Sequence, residues 1–118
     1  MKIRNGYVSN SSSSSFIITF SRYKKSHKLN FEFFKWLFQY TDYDNTLIEI
    51  KNEKDIKEIL EDYIISDEER EKIVKKVKRY LKNKEKPIFY LNIEYRHKPL
   101  KDFLFSDKNI KVIFDFDD

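Results

Sequence analysis

Alternating apolar and polar residues predict four β-strands in this sequence. The first strand begins at Phe16, and the apolar residues on one of its faces are Phe16, Ile18 and Phe20. Further strands are predicted at residues 46–51, 88–96 and 110–116, which read TLIEIK, IFYLNIEYR and IKVIFDF. Asn5-Gly6 is a strong hairpin-turn signal, so residues 2–10 are a candidate partner for the first strand.

Apolar residues at helical spacing predict three helices and one short helical turn. The first helix covers residues 30–40, with Asn30 as its N-cap and a core-facing side made of Phe33, Phe34, Trp36, Leu37 and Tyr40. The second covers residues 52–64, and the third follows Ser66, which stands three residues before Glu69 in capping-box spacing. The predicted core residues of these two helices are Ile56, Ile59, Leu60, Tyr63, Ile73, Val74, Val77, Tyr80 and Leu81. A helical turn is expected at residues 99–105.

This order of elements is typical of an α+β fold, with a small antiparallel or mixed sheet and about three helices packed on one face. A chain of 118 residues has room for one core, so we predict a single domain over residues 1–118. Residues 1–15 are expected to be an N-terminal arm or loop that leads into the first strand. The 11 Phe and 8 Tyr residues supply the large apolar side chains that such a core needs.

Composition excludes several classes of protein. The sequence has no cysteine, which rules out disulfides and thiolate metal sites. It also has no apolar run near the roughly 20 residues of a membrane span and no secretory signal, so we expect a soluble, intracellular protein without a membrane partner. The net charge of +4 balances 24 basic against 20 acidic residues and produces only a weak overall field.

Few residues suggest catalysis or metal binding. His27 and His97 stand apart from acidic clusters, and we expect both on the surface. Two acidic groups could bind a hard cation through their carboxylates. One is Asp42 with Asp44, and the other is Asp115 with Asp117 and Asp118. The favoured interpretation is that these acids lie at a solvated strand edge. The sequence contains no phosphate loop, nucleophile elbow or zinc motif. We therefore predict no enzymatic activity, no metal and no cofactor.

The second half of the third predicted helix is basic, with Lys72, Lys75, Lys76, Lys78, Arg79 and Lys82. Because residues 67–69 at its start are acidic, the helix dipole and solubility are the favoured explanation for these charges. The alternative is a polyanion-contact site that binds nucleic acid or a nucleotide; its residues would be Arg4, Lys72, Lys75, Lys76 and Arg79.

A run of five serines separates Asn10 from Phe16, and together these residues form a candidate motif: Asn10, Ser11, Ser12, Ser13, Ser14, Ser15 and Phe16. In the favoured interpretation the hydroxyls bond to local backbone and make the run a structural entry to the first strand. In the second, the run is a loop that holds an anion with Arg4, Lys24 or Lys25. In the third, it is an exposed handle for a modifying, processing or packaging partner.

The segment MKIRNGYVSNSSSSSFII resembles the N-terminus of a group of small bacteriophage and bacterial proteins to which no activity is assigned. In that group a basic start and an aromatic-Val-Ser/Thr-Asn step precede a serine run and an aromatic residue. The resemblance covers Lys2 to about Ile18 and implies a phage or mobile-element source. We therefore expect a non-enzymatic accessory protein that binds a host or phage protein, with inhibition of a host defence system as one consequence. A virion structural component is the alternative, followed by a nucleic-acid or nucleotide-binding protein.

Overall fold

The computed structural model describes residues 13–38, 45–94 and 98–117. Its strands are β1 (Ser13–Phe20), β2 (Thr46–Ile50), β3 (Ile88–Glu94) and β4 (Ile110–Asp115). Its helices are α1 (Lys25–Phe38), α2 (Glu53–Leu60), α3 (Asp67–Leu81) and α4 (Lys98–Phe105). The predicted hairpin partner at residues 2–10, with its Asn5-Gly6 turn, lies outside the described residues. None of the described helices is long and apolar enough to cross a membrane.

The strands form one antiparallel sheet in the order β2-β3-β1-β4. β1 is therefore a central strand, and all eight of its residues are buried. Phe16 stands opposite Leu91 of β3 and opposite Asp115 of β4, which fixes the register of the three strands. The predicted α+β class is confirmed, and the sheet is antiparallel throughout the part of the chain that the structure describes.

Helices cover both faces of the sheet, so the prediction of helices on one face was wrong. On one face, α2 and α3 pack against a core that includes Ile17, Ile88 and Tyr90. On the other face, α1 and α4 pack against a second core, whose sheet residues include Phe16 and Leu91. Apolar residues at both odd and even positions of β1 reflect this double burial, since a strand covered on both sides has no polar face. The helical turn predicted at residues 99–105 is the helix α4, so the described residues contain four helices rather than three.

The predicted starts of the helices were right for α2 and α3 and wrong for α1. The Asn52 side chain accepts a hydrogen bond from the Asp55 N–H at 3.0 Å, and Ser66 Oγ accepts one from the Glu69 N–H at 3.1 Å. These caps fix the first turns of α2 and α3. By contrast, α1 begins at Lys25, five residues before the predicted N-cap Asn30, which lies inside the helix.

The side of α1 that faces the core also differs from the prediction. Phe31 and Phe34 are buried against the sheet, whereas Phe33 and Trp36 are 55% and 54% exposed. The helix carries apolar residues on two opposite sides, and the pattern alone does not show which side meets the sheet. Tyr40, which was also predicted to face the core, lies outside the described residues.

Candidate functional site

The described serines of the motif belong to a strand rather than to a loop. Ser13, Ser14 and Ser15 are the first three residues of β1 and pair with residues 92–94 of β3. All three are at most 6% exposed. Residues 13–15 therefore belong neither to an N-terminal arm or loop, as was expected of residues 1–15, nor to an exposed handle. Asn10, Ser11 and Ser12 lie outside the described residues.

The Ser15 hydroxyl bonds to a distant side chain, which corrects the prediction of a local backbone partner. Ser15 Oγ donates to Asn92 Oδ1 at 2.8 Å, and both side chains are at most 1% exposed. This pair lies on the sheet face covered by α2 and α3, because the next residue pair on that face is Ile17 with Tyr90. A buried polar pair of this kind stabilises one register, since a slip would leave both groups without this bond.

The structure does not bring the described serines to the lysines that were proposed to hold an anion with them. Lys24 and Lys25 follow Phe20 at the far end of β1. Phe20 lies five residues after Ser15 along the strand, which is about 17 Å at the usual rise per residue. Arg4, the third proposed cation, lies outside the described residues. An anion site made of Ser13 to Ser15 with Lys24 or Lys25 is therefore excluded.

His27 is buried, contrary to the expected surface position. Its side chain is 5% exposed and lies against the ring of Phe20, with the two ring centroids 4.8 Å apart. The Lys24 N–H donates to Nδ1 at 3.0 Å, so the neutral ring carries its hydrogen on Nε2, which lies 2.5 Å from Asp107 Oδ2. Both ring nitrogens are thus occupied, and the contact ties the start of α1 to the loop after α4. His97 lies outside the described residues.

Asp107 has a second fixed partner besides His27. The Asn109 N–H donates to Asp107 Oδ1 at 2.9 Å. This backbone hydrogen bond, together with the contact from His27, holds the pKa of Asp107 below its ordinary value of 3.8. The carboxylate is therefore an acceptor for two structural donors, and the arrangement supports a role in holding α1 in place rather than in catalysis.

No group of three or more His, Asp or Glu side chains in the described ranges is placed to hold a metal ion. Asp115 ends the edge strand β4, and its Oδ1 accepts a hydrogen bond from the Asp117 N–H at 2.9 Å. That bond forms the turn after the strand. Asp42, Asp44 and Asp118 lie outside the described residues.

Four exposed apolar side chains on α1 and α4 form what we call the aromatic surface: Leu29, Phe33, Trp36 and Phe103. Each is between 54% and 60% exposed. The three on α1 stand at i, i+4 and i+7, which places them on one side of the helix, away from the buried Phe31 and Phe34.

Ring contacts connect the three aromatic members of the aromatic surface, partly through the buried Phe34. The Phe33 and Trp36 rings are stacked, with centroids 6.0 Å apart and an interplanar angle of 28°. Phe33 also contacts the buried Phe34 at 5.9 Å, and Phe34 contacts Phe103 at 6.1 Å. Sequence reasoning missed this surface because it assigned Phe33 and Trp36 to the core. The second apolar series of the same helix, at His27, Phe31 and Phe34, was the signal that could have revealed it.

Charged residues beside the aromatic surface are mostly basic. On α1, Lys25, Lys28 and Lys35 are exposed, against one exposed acid, Glu32. On α4, Lys98 and Asp102 form an ion pair at 2.7 Å, so their charges cancel. Within the described residues, the rim of the aromatic surface therefore has a net positive charge.

A row of four cations lies on the outer side of α3, on the other face of the sheet. The residues at i, i+3, i+4 and i+7 are Lys72, Lys75, Lys76 and Arg79, and they line one shallow, open hollow. We call this row the basic stripe. The structure thus brings together four of the five residues of the predicted polyanion-contact site, and the fifth, Arg4, lies outside the described residues.

Among the described residues, the aromatic surface and the basic stripe are the two candidate recognition surfaces, whereas the side chains of His27 and Ser15 have structural partners. Comparison with known proteins adds no constraint to this picture. No protein-family model, curated protein sequence or solved structure matches the chain significantly.

Proposed function

We propose that this chain is a phage or mobile-element accessory protein that acts by binding a protein partner through its aromatic surface. The observation that supports this is the exposure of Phe33, Trp36 and Phe103, each more than half accessible to solvent. Soluble proteins rarely expose contiguous apolar patches without a use for them, and exposed aromatic side chains are the usual anchors of protein interfaces.

Phe33 and Trp36 are not among the buried residues of the core between α1 and the sheet. Phe31 and Phe34 already supply the contact of α1 with the sheet, and both are at most 7% exposed. Phe33 and Trp36 lie on the other side of the same helix, where polar residues would favour solubility. Their presence therefore supports a role in binding.

The shape and charge of the surface indicate the kind of partner. Side chains at i, i+4 and i+7 of a helix are the pattern by which a helix enters an apolar groove on another protein. The part of the aromatic surface from Leu29 to Trp36 covers about 10 Å of α1 at the usual rise per residue. Because Lys25, Lys28 and Lys35 flank it, the partner has an apolar groove with carboxylates at its rim. The same lysines repel a second copy of this chain.

Site-specific photo-crosslinking tests this proposal. A photoreactive phenylalanine analogue replaces Phe33 or Phe103 in cells that express the protein, and a control protein carries it at Ile64. Ile64 is the matched control because it is apolar and 63% exposed but lies between α2 and α3, on the other face of the sheet. We expect positions 33 and 103 to crosslink the same partner, at an apolar groove flanked by acidic residues, and position 64 not to do so. Equal crosslinking from position 64, or crosslinks only to a second copy of the chain, would contradict the proposal.

The resemblance of the N-terminal segment supports a phage setting. In that setting this protein has two candidate roles. An accessory protein that inhibits a host defence would be made in the host cytoplasm and would be absent from purified particles. A virion component, the alternative, would be present there in stoichiometric amount. Quantitative mass spectrometry of purified particles distinguishes the two.

A further inference from the structure

The cations of the basic stripe differ from their neighbours in having few counter-charges. Lys57 and Lys78 both pair with Glu53, at 2.7 and 3.0 Å. In the described part of the chain, by contrast, no carboxylate lies within 4.0 Å of Lys75, Lys76 or Arg79. Lys72 reaches Glu68 only at 4.0 Å, and both of these side chains are more than 70% exposed. The stripe is therefore a local concentration of positive charge on a chain whose overall charge is small.

The helix dipole does not account for this concentration. The dipole favours cations within the last turn of a helix, and the basic residues in the last turn of α3 are Lys78 and Arg79. Lys72, Lys75 and Lys76 lie in the middle turns, where the dipole offers them little. Three of the four cations of the basic stripe thus need another explanation.

The spacing of the basic stripe fits a phosphate backbone. Neighbouring side chains at i, i+3 and i+4 are about 5–6 Å apart, and the stripe covers about 10 Å of helix. One strand of a nucleic-acid duplex presents a phosphate every 3.4 Å or so along its axis, so a length of about 10 Å holds about four phosphates. From this match we propose that the basic stripe binds the phosphate backbone of duplex nucleic acid, without reading its sequence.

Other anionic partners fit the surroundings of the stripe less well. A helix that binds a membrane surface inserts apolar side chains, but those of α3, Ile73, Val74 and Val77, are buried against the sheet. Proteins that bind single strands stack bases on exposed aromatic rings. The more than half-exposed aromatic residues in the described ranges, Phe33, Trp36 and Phe103, lie on the opposite face of the sheet. Tyr80 is half-buried, and the Lys111 ammonium lies 5.3 Å above its ring.

This inference does not depend on the aromatic surface. The basic stripe belongs to α3 on one face of the sheet, and the aromatic surface belongs to α1 and α4 on the other. A protein partner and a duplex can therefore be held at the same time, and either activity can fail without the other.

Fluorescence anisotropy with short labelled duplexes of random sequence, one of DNA and one of RNA, tests the inference. Four phosphate contacts predict that wild-type affinity falls about 150-fold between about 50 and 200 mM salt. A Lys75→Gln, Lys76→Gln, Arg79→Gln variant retains one contact, so its residual affinity falls about 3.5-fold over the same range. The control is Arg22→Gln, Lys51→Gln, Lys54→Gln, which removes the same charge from exposed positions outside both surfaces and should keep the wild-type salt dependence.

Melting curves establish that both triple variants are folded, as expected from the exposure of all six side chains. Wild-type binding to either duplex, lost in the stripe variant and kept in the control, supports the inference. The inference is wrong if the wild type binds neither duplex at low salt or if both triple variants lose affinity equally. Tighter binding to single strands or to phosphatidylserine vesicles than to duplexes would also overturn it.

Discussion

Ser15 and Asn92 face each other across the two central strands of the sheet, and the Ser15 hydroxyl donates to the Asn92 side-chain oxygen at 2.8 Å. The Ser15 carbonyl also accepts a hydrogen bond from the Phe116 N–H at 3.0 Å. One serine of the run is therefore fixed between both neighbouring strands. This places the end of the serine run inside the fold.

Replacing Ser15 by alanine is expected to lower the free energy of unfolding by about 1–3 kcal/mol, because it removes a buried donor from Asn92. Ser26→Ala is the matched control, since Ser26 is exposed on α1 and should change stability by less than about 0.5 kcal/mol. Urea unfolding of the three proteins measures both effects. Equal stability of Ser15→Ala and the wild type would show that the buried pair contributes nothing.

The two faces of α1 give a second prediction, carried by adjacent residues. Phe34→Ala should destabilise the protein by about 3–5 kcal/mol, because Phe34 is 7% exposed in the core beneath α1. Phe33→Ala should change stability by less than about 0.5 kcal/mol, because Phe33 is 55% exposed. Urea unfolding again provides the measurement. The reverse order would mean that α1 presents its other side to the sheet.

The Asp107 carboxylate predicts a dependence of stability on pH. Its pKa is held below 3.8, chiefly by the hydrogen bond from the Asn109 N–H and also by His27. A carboxylate with a lowered pKa in the folded state stabilises the protein above its ordinary pKa and loses that effect as pH falls through the lowered value. The advantage of wild type over Asp107→Asn should therefore be full near about pH 7 and shrink below about pH 4.

Urea unfolding at several pH values checks this, with Asp102→Asn as the control because Asp102 is 59% exposed in its pair with Lys98. A difference between wild type and Asp107→Asn that stays constant down to about pH 3 would contradict an ionic contribution from Asp107.

The contacts of His27 predict which tautomer its ring adopts. Since the Lys24 N–H donates to Nδ1, the neutral ring must carry its hydrogen on Nε2 and donate it to Asp107. Nitrogen chemical shifts of the imidazole, recorded by NMR above neutral pH, distinguish the two tautomers. A hydrogen on Nδ1 would show that the Lys24 contact is absent in solution.

Sequence alone predicted those parts of the fold in which local signals agree with each other. α2 and α3 combine side-chain caps at Asn52 and Ser66 with a single apolar side, and their starts were predicted correctly. α2 ends at Leu60 rather than at residue 64, and the predicted core residues are buried or packed against the core. The strands β2 and β3 were also placed correctly, because alternation and turn residues bound them on both sides.

Where the sequence pattern allows two solutions, the prediction failed for a physical reason. α1 is apolar on two sides, so the tertiary contacts decide which one is buried. Serine is a poor guide to a strand, and Ser13 to Ser15 join β1 because β3 supplies their partners. The aromatic surface was missed because α1 is apolar on two sides and the exposed side was assigned to the core. The residues of the basic stripe were identified from the sequence. Only the structure shows that the nearby carboxylate of Glu53 pairs with Lys57 and Lys78 and leaves the stripe with few counter-charges.

Titration calorimetry with the purified partner found by crosslinking tests the central claim, that the aromatic surface is the binding site, most directly. Phe33→Ala should weaken binding by about 30-fold or more, as expected for an aromatic anchor at the centre of an interface. Ile64→Ala removes an equally exposed apolar side chain from the other face of the sheet and should leave affinity within about twofold. Equal affinity of Phe33→Ala and wild type, or an equal loss in both variants, would contradict the claim.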